Sequence, residues 1–369
     1  MLNLYQSNML EALARLYLAV REPSRDPLEP ETLLVPSQGM QRWLAFTLAR
    51  EQGIAANLDF QLPSSFMWQL VRRAFPGLPL RSPLDCEPLT WRVMRELPQL
   101  RQVETAAIHG HWRAADDRGR FELASRVADV FDQYLVYRPD WILGWEQGRL
   151  FGLGPDEPWQ AALWRTMAGN ETPHRARLLE SFSARLAQGD VAGLPARLTL
   201  FGVSSLPPAI WDMLRHVGEH REVDVFLLNP SQEYWGQLRR GDGEESGHPL
   251  LAALGQQGRD FIASVVASGA NEPVGGQAFV TPSQESLLGA LQADLLEQRL
   301  RIPEERIRFR NEDRSVQVHA CHSALREMEV LHDQLLMLFE QDPTLQPDDV
   351  LVMCSDIERY APLADAVVG

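Results

Sequence analysis

The chain has 369 residues, 45% of them hydrophobic and 23% charged, and a formal net charge of −15. That composition excludes disorder over most of the length and leaves room for two or three domains with substantial cores. The negative balance excludes a stand-alone, sequence-indifferent nucleic-acid binder, whose affinity comes mainly from cations that release phosphate counterions, while leaving a locally positive groove open.

Residues 2–5 read as a short strand, and Asn8 with Glu11 reads as a capping box opening an apolar helix through Leu13, Leu16, Tyr17 and Val20. A proline-rich link (Pro23, Pro27, Pro30) leads to a second strand at 32–35, then Pro36-Ser37-Gln38-Gly39 and a helix over about 40–51. Two βα units in succession predict a parallel α/β sheet. Between about 62 and 189 strand character gives way to helical periodicity broken by Pro76, Pro83, Pro139, Pro155 and Pro173, which reads as an inserted helical domain. Strands return at 198–202 and 223–228. Surface loops are expected at 241–247 and 271–276, followed by a helix from the box Thr281-Pro282-Ser283-Gln284. A third βα block runs from a strand at 316–319 through a helix at 323–340 to a strand at 350–353, with Ser355 and Glu358 capping one more helix. So short a second sheet leads to the expectation that the polypeptide is an N-terminal fragment.

All 35 cationic side chains are arginines, because the chain contains no lysine. A GC-rich coding bias accounts for this as well as any functional pressure does, yet the chemical consequence holds either way. Neither a G-x-x-x-x-G-K-[ST] phosphate loop nor a Schiff-base enzyme can be built. Ligands of α/β sheets sit at the carboxyl ends of strands. There the sequence offers Gln6-Ser7-Asn8 after the first strand, and Asn229-Pro230 where a Walker-type acid would stand. No run of ~18 uncharged apolar residues and no signal-peptide pattern is present, so a cytoplasmic, non-membrane protein is expected. Cys86, Cys321 and Cys354 lack C-x-x-C spacing and suit a reducing compartment. His319, Cys321, His322 and His332 do not converge as four zinc ligands must, and His109-Gly110-His111, taken as a loop, is weaker still, so no metal site is expected. Ten tryptophans are many for this length, and some should be exposed.

Four stretches carry a family resemblance: Leu34-Val35-Pro36-Ser37-Gln38-Gly39-Met40-Gln41-Arg42-Trp43-Leu44; Gly53-Ile54-Ala55-Ala56-Asn57-Leu58-Asp59-Phe60; Phe131-Asp132-Gln133-Tyr134-Leu135-Val136-Tyr137-Arg138-Pro139-Asp140-Trp141; and Cys321-His322-Ser323 with Arg326-Glu327. With these the chain resembles, over its full length, the N-terminal part of the RecC family, the gamma subunit of exodeoxyribonuclease V in the RecBCD complex. The resemblance implies an inactive superfamily-1 helicase-like fold. Residues 1–60 and 196–312 would form its first α/β domain, 61–195 the inserted helical domain, and 313–369 the start of a second α/β domain. It implies a non-catalytic subunit that has RecB-like and RecD-like partners, acts on DNA ends in double-strand break repair, channels single-stranded DNA and reads the Chi sequence. Any ATP and Mg would sit on the partner subunits, with no cofactor in this chain. A scaffold that docks the RecB-like motor without reading bases is the alternative.

The same resemblance assigns DNA or Chi contacts to Pro36, Gln38, Arg42, Leu62, Trp68, Asp129, Val130, Asp132, Gln133, Arg138 and Arg175. A tryptophan offers a stacking face, arginines pair with phosphates or guanine edges, and Asp or Gln accepts from exocyclic amines. Pro36, Gln38 and Arg42 replace the Gln, Thr and Gln of the better-known family pattern, which leads to the expectation of a different octamer. Each residue also has a plain structural reading. Trp43 and Phe46 fit a helical core face, and helix periodicity alone would make Trp68 core. Asp129 and Asp132 fit a solvated face or a salt bridge, Arg138 a helix-end cap, and Asn229 to Trp235 an Asx turn at a strand exit.

Overall fold

The structure, a computed structural model, describes residues 1–22, 28–79, 82–100, 107–169, 173–189, 193–238, 247–305, 307–310 and 312–368. Pro23, Pro27 and most of the loop expected at 241–247 lie outside the described residues. Two compact units result, one of residues 1–281 with 292–302, the other of 282–291 with 303–369.

The first unit is built on five parallel strands, β1 (Leu2–Ser7), β2 (Glu31–Leu34), β3 (Leu58–Gln61), β4 (Arg197–Phe201) and β5 (Glu222–Leu228), in the order β1-β5-β4-β2-β3. A parallel sheet must be covered on both faces, and the period-2 alternation of its strands supplies the cover sites. Leu4, Leu34, Leu200 and Val225 enter one core with α3 (Pro63–Ala74), α9 (Arg175–Ala187), α10 (Pro208–His220) and α12 (Gln256–Ala267). Their neighbours Tyr5, Leu33, Phe201 and Phe226 enter the opposite core with α1 (Leu10–Val20) and α2 (Gln38–Gln52). Trp43 joins that second core half-buried, 6.4 Å from the Phe201 ring, whereas Phe46 turns outward at 71% exposure and is not core.

Between β3 and β4 the chain is helical. α4 (Cys86–Glu96), α6 (Asp117–Tyr137), α7 (Pro139–Glu146) and α8 (Glu157–Ala168) enclose a third core around Phe131, Trp145 and Trp164. His109 and His111 lie in a helix, α5 (Ala107–Ala114), not in a loop. Trp91 of α4 is 60% exposed and lies against Phe121 of α6.

Several helix starts differ from the sequence reading. The Asn8 side chain does not cap α1; it forms paired bonds with the Val280 backbone, and Ser7 Oγ accepts from the Met9 amide instead. The helix expected from Thr281 begins only at Leu287, as α13 (Leu287–Glu297), after α11 (Pro249–Leu254) and α12. Its first amides donate to Asp313 and Ser315, residues distant in sequence that no local box could name.

In the second unit Ser323 accepts from the Arg326 amide and starts α14 (Ala324–Gln341) as expected. Asp356, not Ser355, accepts from Arg359 to start α15 (Ile357–Val368). Residues 316–319 and 350–353 carry no strand pairing, because no described neighbour offers them a ladder, and Val318, Leu351 and Met353 stand 80% or more exposed. No helix among the described residues is long and apolar enough to cross a membrane.

Candidate nucleic-acid interface

The carboxyl ends of β2, β3 and β4 open onto one cleft of about 640 Å³. Pro36 follows β2, after the Val35 amide bonds the Gln61 carbonyl at 2.9 Å, and Leu62 follows β3. Pro63 then takes the first position of α3, where its missing N–H costs nothing. Phe66, Met67, Leu70 and Val71 bury the inner face of α3. Ser64, Trp68 and Arg72, spaced i, i+4, i+8, form a stripe that lines the cleft. Tyr137 at the end of α6, Ser205 to Pro207 after β4, and Arg175 at the start of α9 complete the wall.

Arg175 is held by two carboxylates, Nη1 donating to Asp132 Oδ1 at 2.9 Å and Nη2 to Asp85 Oδ1 at 2.7 Å. A cation in the first turn of a helix opposes the macrodipole, and the two acids offset it. Burial pushes the Asp132 carboxyl above its usual range; Arg175 opposes that, and Asp85 and Asp129 reinforce it. Behind Arg175, His174 accepts from the Arg177 amide and its Nε2 lies 2.6 Å from Glu146 Oε1, which also accepts from Trp164. Burial raises the Glu146 carboxyl, but the bonds from His174, Arg177 and Trp164 outweigh it and hold the group below its ordinary value. The start of α9 is thereby tied to α7 and α8.

Four of the eleven residues singled out in the sequence, Pro36, Leu62, Trp68 and Arg175, line this cleft, and Asp132 joins them through Arg175. Six stand elsewhere. Gln38 and Arg42 occupy the exposed face of α2, one turn apart. Asp129, Val130 and Gln133 occupy the exposed face of α6, where Gln133 Nε2 donates to Asp129 at 2.9 Å. Arg138 caps no carbonyl with its side chain; it forks onto Asp140 at 3.0 and 2.7 Å and lies 3.7 Å over the Trp141 ring. Sequence reasoning missed Asp85, Arg72 and Tyr137. The stripe spacing would have found Arg72, whereas the bond of Asp85 to the cleft residue Arg175 spans 90 residues, its local bond being to the Ser82 amide.

At β1 and at the end of β5 the chain bonds to itself. Along β1, the Gln6 amide donates to the Gly276 carbonyl and the Ala278 amide to the Gln6 carbonyl; Ser7 Oγ donates to Ala278, and Asn8 pairs with Val280. After β5, Asn229 Oδ1 accepts from Ser231 N at 3.2 Å and Trp235 Nε1 at 2.9 Å, while its amide donates to Gln6 Oε1 at 2.8 Å. This is an Asx turn closed by an indole. Among the described residues no three His, Cys, Asp or Glu side chains converge as metal ligands. The cleft therefore offers a half-buried indole face, Arg72, the Arg175–Asp85 pair and apolar walls. That arrangement suits a flat ring stacked on Trp68 beside an anionic group.

Residues 2–298 match the model of the family described as RecC, N-terminal domain. The RecBCD enzyme subunit RecC of Escherichia coli is 38% identical over all of this chain and 38% of its own length. The subunit of the same name from Haemophilus influenzae is 34% identical over 99% of this chain and 39% of its own length. The one from Mycobacterium tuberculosis is 34% identical over 100% and 36%. The chain thus spans well under half the length of these relatives, and by the match over 2–298 it belongs to the RecC family, of which it represents the N-terminal region.

Proposed function

We propose that this chain is the N-terminal part of a non-catalytic DNA-binding subunit of a RecBCD-type helicase and nuclease acting in double-strand break repair by recombination. It takes single-stranded DNA from a RecB-like motor, with a RecD-like subunit as second partner, and reads Chi at the cleft at the carboxyl ends of β2, β3 and β4. Its α/β part, 1–60 with 196–312, is an inactive helicase-like domain, 61–195 is the helical insertion, and 313–369 begins a second such domain. ATP and Mg belong to the partners. The observation that carries the reading is the cleft itself: Trp68 and Arg72 on one helical stripe, Pro36 and Leu62 at successive strand ends, and Arg175 opposite. The self-filled turns after β1 and β5 support the absence of nucleotide chemistry.

The net charge of −15 makes binding by the isolated chain weak and steeply salt-dependent. Fluorescence anisotropy with a labelled single strand at low salt tests the reading. Trp68→Ala is expected to lose ~1–3 kcal/mol, the worth of one base stacked on an aromatic ring, and Arg138→Ala to lessen the salt dependence. Unchanged binding in both variants returns the chain to a scaffold that never touches bases.

A further inference from the structure

Two consecutive residues, His174 and Arg175, join the helical insertion to the sheet. α9, which Arg175 opens, carries Ala176 into the core of the insertion and Leu178, Leu179 and Phe182 into a core on the sheet. Arg175 lines the cleft and bonds to Asp132 of α6 and to Asp85 just ahead of α4. His174, 2% exposed, bonds instead to α7.

The residue before a helix is usually serine, threonine, asparagine or aspartate, whose short side chain accepts from the amides of its own helix and reaches no further. Histidine is not among them. Here Nδ1 accepts from the Arg177 amide at 3.4 Å, as a cap does, and the ring carries a second nitrogen away from the helix. A neutral imidazole has one acceptor and one donor nitrogen. With Nδ1 accepting, the proton sits on Nε2, which donates to Glu146 Oε1 at 2.6 Å. Glu146, the last residue of α7, is itself held. Its Oε1 also accepts from Trp164 Nε1 of α8 at 3.0 Å, and its Oε2 from Arg177 Nε at 2.7 Å. The Trp164 ring stands edge-on to the imidazole at 5.3 Å. The imidazole thus does two things that no ordinary cap does together: it starts α9 and fastens that start to α7 and α8. Arg175 is the next residue along. A forked guanidinium meets a ligand with good donor geometry only if its backbone origin is fixed, since looseness of about 1 Å is enough to spoil a site.

We propose that His174 is a positioning residue of the cleft, bridging the cap of α9 to Glu146 so that the Arg175 guanidinium is held where a single strand meets it. The single strand as ligand rests on the function proposed above. The test follows the anisotropy of a fluorescein-labelled, mixed-sequence single strand at low salt with the 369-residue chain, for the parent, Arg175→Ala, His174→Asn and H174N/R175A. Circular dichroism melts show whether each variant folds. Arg175→Ala should weaken binding roughly 10-fold, the scale of one hydrogen bond to a charged group. Asparagine keeps an acceptor for the Arg177 amide and is too short to reach Glu146, so His174→Asn should fold and still lose most of that affinity. In the Arg175→Ala background it should lose nothing more, because no guanidinium is left to misplace. Parent-like binding by His174→Asn overturns the bridge and leaves His174 a cap. An equal loss in both backgrounds overturns it too, by making the effect one of general stability. A His174→Asn chain that does not fold makes the imidazole a core element and overturns positioning as well. No loss on Arg175→Ala, or no binding by the parent, overturns the reading of the cleft itself and the positioning with it.

Discussion

Replacing Asn229 by alanine tests whether the turn after β5 is structural. Asn229 is 4% exposed, and its partners Gln6, Ser231 and Trp235 are buried with it at 8%, 0% and 2%. The substitution leaves the Trp235 indole N–H, the Ser231 amide and Gln6 Oε1 in the interior without Asn229. Each stranded buried group costs ~1–3 kcal/mol, so the three together should cost at least about 3 kcal/mol. Urea denaturation followed by tryptophan fluorescence measures the loss as a lower midpoint at unchanged slope. Trp235→Phe removes the orphaned donor, so in that background Asn229→Ala should cost ~1–3 kcal/mol less, a coupling that a double-mutant cycle reads directly. A cost under about 1 kcal/mol, or strict additivity with Trp235→Phe, would refute the structural account.

Asn229→Asp restores an acid where a nucleotide-hydrolysing sheet would carry one, and a phosphate-release assay should still detect no turnover, because the turn after β1 remains occupied by residues 276–280. Asp140→Asn frees the Arg138 guanidinium; both side chains are about half exposed, so stability should change by less than ~1 kcal/mol, while single-strand affinity at low salt should rise, and an unchanged anisotropy curve would count against Arg138 as a phosphate contact. Asp132 has its folded pKa raised from 3.8, first by burial, so its contribution to stability is full below about 3.8 and is lost as pH rises through the folded value. Asp132→Asn should therefore gain on the parent between pH 4 and 7, and parallel urea midpoints across that range would contradict the assignment. Ser323→Ala should cost α14 ~1 kcal/mol through loss of its cap, measured as reduced resistance of residues 324–341 in hydrogen exchange.

Four of the five strands were legible from adjacent apolar residues that face both covers of the sheet, Leu4-Tyr5 in β1, Leu33-Leu34 in β2, Leu200-Phe201 in β4 and Val225 to Leu228 in β5. β3 was not. Asp59 and Gln61 break its apolar run, and only the backbone ladder to β2 makes it a strand. Conversely, 316–319 and 350–353 have strand composition without a described partner, and composition cannot supply one. At the cleft, Ser64, Trp68 and Arg72 follow from helical spacing, whereas the grip of Asp85 on Arg175 depends on a tertiary fold that closes 90 residues of chain. The capping boxes failed where a remote group competed better: Val280 took Asn8, and Asp313 took the amide of Leu287.

The segment that lies along β1 also decides how this sheet can meet other chains. With Leu4, Gln6 and Asn8 already paired to 271–280, that margin presents no open ladder for a foreign strand to extend. Strand swapping and fibril-like growth are closed off on that side, as at a zipped seam. The opposite margin is β3, four residues long and ended by Pro63. A proline so close to so short a ladder leaves little length to copy, so association must proceed through side chains, by shape and chemistry, not by continuing the sheet.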